Sequence, residues 1–183
     1  MANKAGAAEA ERNERPAGTR EAILAAAEEL FAERGFAGTS VRDIVRVSQS
    51  SPPSLYHFFG SKENLLVELV TERYNRYCDR LEAKLASAST PYEVCKQFFE
   101  LALRNIAQEP KTAKFLFSIM FGPQQDIPKE PLKELLVRWE LIVHERLRAV
   151  APDAPEVRVT FARTMINGLM TPPVLLFLTA GIK

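Results

Sequence analysis

The sequence predicts an all-α chain of about nine helices. Three observations carry that reading. Apolar residues recur at helical spacing along most of the chain. Ser or Thr stands where several of these runs begin, and Gly or Pro where they end. No stretch alternates apolar and polar residues as a half-buried strand does.

Residues 1–18 are Ala, Glu, Arg and Asn without an apolar face, which predicts a flexible arm whose Arg12 and Arg15 are solvated or meet a polyanion. The first helix is expected from Thr19, a capping residue, with Ile23, Leu24, Ala27, Leu30 and Phe31 along its buried side. Gly35 suits its left-handed stop, with Phe36 packing back. Thr39 or Ser40 caps a short second helix with Asp43 as the partner in a capping box and Val41, Ile44 and Val45 buried. The small polar run "SQSS" then makes a tight turn. A third helix, "SLYHFF", follows Pro52-Pro53 and ends at Gly60. Ser51 precedes a proline and is therefore pushed to the extended conformation a cap needs. Because Pro53 disfavours helical ψ at Pro52, the helix is expected to start at Pro53. Leu55, Phe59 and Phe58 are assigned to the core.

Ser61 caps a long fourth helix that carries Leu65, Leu66, Leu69, Tyr74, Tyr77 and Leu81 on one side. Thr90, Pro91 and Glu93 start a fifth, which runs to about Gln108. Pro110 opens a sixth, ended by Gly122-Pro123. "LKELLVRWELIVHERLRAV" and "VRVTFARTMINGLM" are the seventh and eighth, and Thr171-Pro172-Pro173 is expected to separate the eighth from a ninth, "VLLFLTAGIK".

The composition is that of an ordinary globular protein, with 46% hydrophobic and 26% charged residues. The net charge of +1 means that any nucleic-acid site must come from local placement of charge. Cys78 and Cys95 are the only cysteines, which suggests a reducing compartment and no disulfide framework or zinc site. The N-terminus has no apolar core of a secretory signal, and "PPVLLFL" is too short to span a bilayer, so the cytoplasm is expected. His57, His144, Cys78 and Cys95 show no catalytic or metal-ligand spacing, and there is no Gly-rich loop to hold a cofactor. This argues against an enzyme. No cofactor and no metal are expected.

The short second and third helices, joined by a tight turn, make a helix-turn-helix candidate. Residues 19–66, "TREAILAAAEELFAERGFAGTSVRDIVRVSQSSPPSLYHFFGSKENLL", resemble the N-terminal DNA-binding region of TetR-family transcriptional regulators without a gap. The resemblance is carried by the Thr-led first helix, the Leu-Phe and Gly-Phe exit, Thr39-Ser40, Asp43-Ile44, Leu55-Tyr56 and Phe59-Gly60-Ser61-Lys62. It implies three parts: the arm at 1–18, a helix-turn-helix DNA-binding domain at 19–65, and a helical effector-binding and dimerisation domain at 66–183. The chain departs from the family where Gln49-Ser50 replaces the usual Gly-Val of the turn, at Pro52-Pro53, and at Phe58.

A recognition helix puts its N-terminal residues against base edges in the major groove. There Pro52 and Pro53 offer apolar rings suited to a thymine methyl and no N–H, which leaves Ser54 and His57 as polar readers. The resemblance implies that Tyr56 and Lys62 hold the phosphate backbone. Thr39, Ser40, Arg42 and Ser51 complete the DNA-binding set.

The resemblance further implies a homodimer on a palindromic, double-stranded operator, with repression released by a small effector. Phe161, Met165, Gly168, Leu169, Leu175 and Leu178 are the candidate dimer residues. Tyr74, Phe98, Phe117, Trp139, His144 and Asn167 are the candidate effector residues. The supply of large apolar groups favours a hydrophobic or amphipathic small molecule, and the fourth helix is the lever to the DNA-binding end. No membrane partner is expected. The competing reading is a helical interaction protein whose vestigial helix-turn-helix no longer binds DNA.

Overall fold

The computed structural model describes the backbone of residues 3–121 and 129–179, and side chains within 18–117, at 119, and within 132–133, 137–166 and 168–169. Among the described residues all regular structure is helical: α1 (Asn3–Arg34), α2 (Val41–Val47), α3 (Pro52–Phe59), α4 (Lys62–Leu85), α5 (Pro91–Gln108), α6 (Pro110–Phe121), α7 (Lys129–Val150) and α8 (Glu156–Thr179). No helix among them is long and apolar enough to cross a membrane.

Most helix ends follow the local chemistry. α1 stops at Gly35, whose φ of 72° suits a residue without a Cβ. The Phe36 ring then folds back to 5.5 Å from that of Phe31. Ser40 caps α2 in a capping box: its hydroxyl accepts from the Asp43 N–H at 3.2 Å, and the Asp43 carboxylate accepts from the Ser40 N–H at 3.1 Å. Ser51, Ser61 and Thr90 cap α3, α4 and α5 in the same extended geometry.

Three expectations are corrected. The backbone is helical from Asn3, so Thr19 lies inside α1 instead of opening it. Ala, Glu and Arg are strong helix formers, and their propensity favours helix ahead of Thr19. α3 begins at Pro52, one residue early, because neither proline in a first turn is asked for an intrahelical N–H, while the cap bond to Ser51 and the burial of Leu55 and Phe59 hold the turn. The eighth and ninth helices are one, α8, which runs through Pro172-Pro173. Proline removes a donor from a helix interior but keeps helical φ, so it strains a helix more readily than it ends one.

The α2–α3 turn closes as a Schellman motif. The Ser50 N–H donates to Val45 O at 3.0 Å, and Gln49 takes the left-handed position with φ 53°. That region costs a side-chain-bearing residue about 1–2 kcal/mol. Gln49→Gly is therefore expected to raise the unfolding free energy by about 0.5–1 kcal/mol, after the entropy glycine gains in the unfolded chain. Urea denaturation at fixed protein concentration measures it, and a loss of stability would contradict the turn geometry.

Two apolar cores form. The first joins Ile23, Leu24, Leu30 and Phe31 of α1, Ile44, Leu55 and Phe59 of the helix-turn-helix, and Leu65, Leu66 and Leu69 of α4. It also takes Phe115 and Ile119 from α6 and Leu132 from α7, so residues 19–65 do not close it alone. The second gathers Tyr74, Cys78, Phe98, Trp139, Val143, Val159 and Ile166 from α4, α5, α7 and α8. α4 runs through both.

Candidate nucleic-acid interface

Burial of Leu55 and Phe59 decides which way α3 turns. The opposite side of this helix carries Pro52, Pro53, Tyr56 and His57, all exposed, with Tyr56 at 51%. Their spacing of one and four residues lines them along a single stripe. Ser54 is half-buried, and its hydroxyl lies 2.9 Å from that of Ser51. The Ser51 oxygen also accepts the Ser54 N–H at 3.3 Å, so it serves the cap.

Beside α3, the start of α2 presents Ser40 and Arg42, both exposed. The Asp43 carboxylate is the acid among these bases. Hydrogen bonds from the Ser40 hydroxyl and N–H hold its pKa below the usual range, with Arg34 and Arg46 adding attraction. Arg46 lies 3.4 Å from it and Arg34 4.0 Å. With Asp43 answered by these neighbours, Arg42 leaves the patch locally basic on a chain of nearly neutral net charge.

Two residues of the expected set face elsewhere. Thr39 is 1% exposed, and its hydroxyl donates to Gly35 O at 2.8 Å and Leu30 O at 3.3 Å, fastening the end of α1. Lys62 turns its ammonium inward, to Phe36 O at 3.0 Å and Thr39 O at 2.9 Å, over the Phe36 ring at 4.1 Å. In both, backbone carbonyls take the donor: those of Leu30 and Gly35 at the end of α1 for Thr39, and those of Phe36 and Thr39 in the α1–α2 connection for Lys62.

An exposed stripe on the second helix of a tight helix-turn-helix, flanked by a basic patch, is the geometry of a major-groove reader. Residues 23–69 match the family model described as bacterial regulatory proteins of the tetR family. The chain is also similar to the HTH-type transcriptional repressor KstR2 of Mycolicibacterium smegmatis, 35% identical over 137 residues that cover 71% of this chain and 65% of that one. Its identity with the HTH-type transcriptional regulator LmrA of Bacillus subtilis is 28% over 170 residues, covering 88% and 87% of the two chains.

The chain belongs to the TetR family.

It is a DNA-binding transcriptional regulator of that family. The crystal structure of a transcriptional regulator FadR from Bacillus subtilis, in complex with stearoyl-CoA, matches with a TM-score of 0.70 at 21% identity, covering 89% of this chain and 99% of that one. That likeness is one of fold.

Behind the TetR DNA-binding helices, the structure brings Tyr74, Phe98 and Trp139 together in the second core, at 2%, 3% and 6% exposure. The Phe98 and Trp139 rings stand 5.6 Å apart. Phe117 is half-buried on α6. His144 Nε2 lies 3.4 Å from the Glu156 carboxylate, between α7 and α8. Phe115 of α6 packs against Phe31 in the first core. Burial pushes the Cys78 thiol up to about 12, so it carries no reactive thiolate. Of the candidate dimer residues, Phe161, Met165, Gly168 and Leu169 lie exposed on α8. The side chains of Asn167, Leu175 and Leu178 lie outside the described residues.

Proposed function

We propose that the protein is a homodimeric repressor acting in the cytoplasm, which binds a palindromic operator and is released from it by a small hydrophobic or amphipathic effector. The observation that carries the DNA-binding half is the exposed stripe of Pro52, Pro53, Tyr56 and His57 on α3, beside exposed Arg42. Pro52 and Pro53 contact thymine methyls, His57 and Ser54 read polar edges, and Tyr56 and Arg42 hold phosphates that set register, beside Ser40, whose donors serve Asp43. DNA binding is assigned to residues 19–65, and effector binding and dimerisation to 66–183.

The effector site is placed at the second core. Large apolar side chains from α4, α5 and α7 meet there, and Gln97 Oε1, Asn105 Nδ2 and His144 Nδ1 are buried on α5 and α7 without a partner among the described residues. Unpaired buried polar atoms on the helices that build the apolar walls suit a ligand with a long apolar part and a few polar groups. A chain of the same fold holds stearoyl-CoA. The effector acts by preferring an arrangement in which the two recognition helices of the dimer no longer match successive major grooves, about 34–36 Å apart.

Fluorescence anisotropy against salt tests the DNA face. The probe is a duplex that the wild-type protein selects from a random pool. Tyr56→Phe removes one hydroxyl and is expected to weaken binding about tenfold, as loss of a hydrogen bond to a charged phosphate does, with an unchanged salt slope. Arg42→Ala is expected to weaken binding and also to lower the slope of log Kd against log salt by about 0.9 per subunit. Wild-type-like binding by both variants would place the DNA site elsewhere.

A further inference from the structure

We infer that Lys62 is a positioning residue: it pins the start of α2 to the start of α4, so that the recognition helix between them is presented in register, and it is not itself a phosphate contact. The inference rests on the DNA-binding reading of the α2–α3 face.

Lys62 is the first residue of α4. A cation there opposes the dipole of its own helix. The structure resolves the conflict across space. The ammonium leaves α4 and reaches the α1–α2 connection, where two backbone carbonyls beyond the end of α1 accept from it. It donates to Phe36 O at 3.0 Å and Thr39 O at 2.9 Å, and lies 4.1 Å from the centre of the Phe36 ring, within cation–π range.

The connection is fastened from the other side as well. The Thr39 N–H donates to Phe36 O at 3.3 Å, and the Thr39 hydroxyl ties back to Gly35 O and Leu30 O of α1. Thr39 O, which Lys62 holds, immediately precedes Ser40, the cap of α2. α3 has a helix on each side of it in sequence, and Lys62 is the side chain that joins the start of one to the start of the other. A phosphate would have to compete with two carbonyls and a ring for this ammonium. Register-setting through a short rigid connection is the more economical role for a half-buried lysine so engaged.

The test uses the full-length protein and the duplex selected from a random pool, with anisotropy followed over a range of salt. Lys62→Met keeps the apolar stem and removes the donors. It is expected to weaken binding about tenfold at each salt concentration, with the wild-type slope retained. Lys62→Gln keeps two N–H donors without charge, and is expected to recover part of the affinity at the same slope. A slope lowered by about 0.9 per subunit in both, as for Arg42→Ala, would make Lys62 a phosphate contact and overturn the inference. Unchanged affinity would overturn it too. So would a loss of affinity that only tracks the unfolded fraction, measured by circular dichroism at the assay temperature. Wild-type binding that does not depend on salt would instead overturn the reading of the DNA face, which the variants leave untouched.

Discussion

Arg73→Met is expected to lower the unfolding free energy by about 3–5 kcal/mol, the usual result of breaking one side of a buried ion pair. Arg73 projects from α4 with only 7% of its side chain exposed. Its guanidinium meets Glu28 at 2.9 Å, Glu21 at 3.3 Å and Glu72 at 2.7 Å. Glu28 is itself 11% exposed and also accepts from the Thr112 hydroxyl of α6. Removing the guanidinium leaves that carboxylate buried with one neutral donor. The cost is chiefly the stranded charge, so removing the charge as well should restore most of the stability. The double variant Arg73→Met/Glu28→Leu is expected within about 1–2 kcal/mol of wild type, because neither ion then has to be desolvated. Urea denaturation at fixed protein concentration measures both. A single variant that loses less than about 1 kcal/mol would show the node to be solvated in solution. The same node ties α1, which carries the DNA-binding core, to α4 and α6, so the double variant also reports whether this charge network shapes the response of DNA binding to effector.

Phe161→Glu is expected to dissociate the proposed dimer and, with it, tight operator binding. Val157, Phe161, Met165 and Leu169 recur every four residues along α8, at 74%, 64%, 44% and 55% exposure. Val137 and Leu141 of the neighbouring α7 add further exposed apolar surface, at 46% and 52%. A monomer would leave this continuous stripe in water. Gly168 lies in it with nothing among the described residues within 4 Å of where a Cβ would stand, which leaves room for close approach of a partner helix. Two-fold symmetry places each substitution twice in one interface, so two carboxylates would be desolvated without partners. About 4 kcal/mol or more of lost association energy corresponds to a dimer Kd raised roughly 1,000-fold. Sedimentation should show monomer at micromolar concentration with unchanged helicity, since Phe161 contributes nothing to either core. Operator affinity should fall in parallel, because two half-sites are then bound independently. A variant that remains dimeric would place the interface on another face.

The residues themselves explain which of these features were legible beforehand. Ser40 with Asp43, Thr90 with Glu93, and Gly35 with Phe36 act over four residues or fewer, so the caps of α2 and α5 and the stop of α1 could be read from neighbours alone. Leu55 and Phe59 on one side of α3 put Tyr56 and His57 on the other, which made the exposed stripe readable from spacing. Pro172-Pro173 misled for the same reason: a local rule that often ends helices did not decide the course of α8. Thr39 and Lys62 carried polar groups in a DNA-binding pattern, and nothing local showed that carbonyls at the end of α1 and in the α1–α2 connection would take them first.

The sequence by itself determined the helical class, the helix-turn-helix, most of its caps and the family, because each depends on periodicity or on contacts within one turn. Tertiary structure alone decided which charges are buried and to what they answer. Arg73 and Glu28 lie 45 positions apart and meet only because α1 and α4 pack together. Lys62 and Phe36, 26 apart, meet only because α4 starts beside the end of α1. An opposite charge on each of two apolar stripes was the one sign available in advance. Pairing them requires knowing which helix faces which, and that is set by the packing of both cores together.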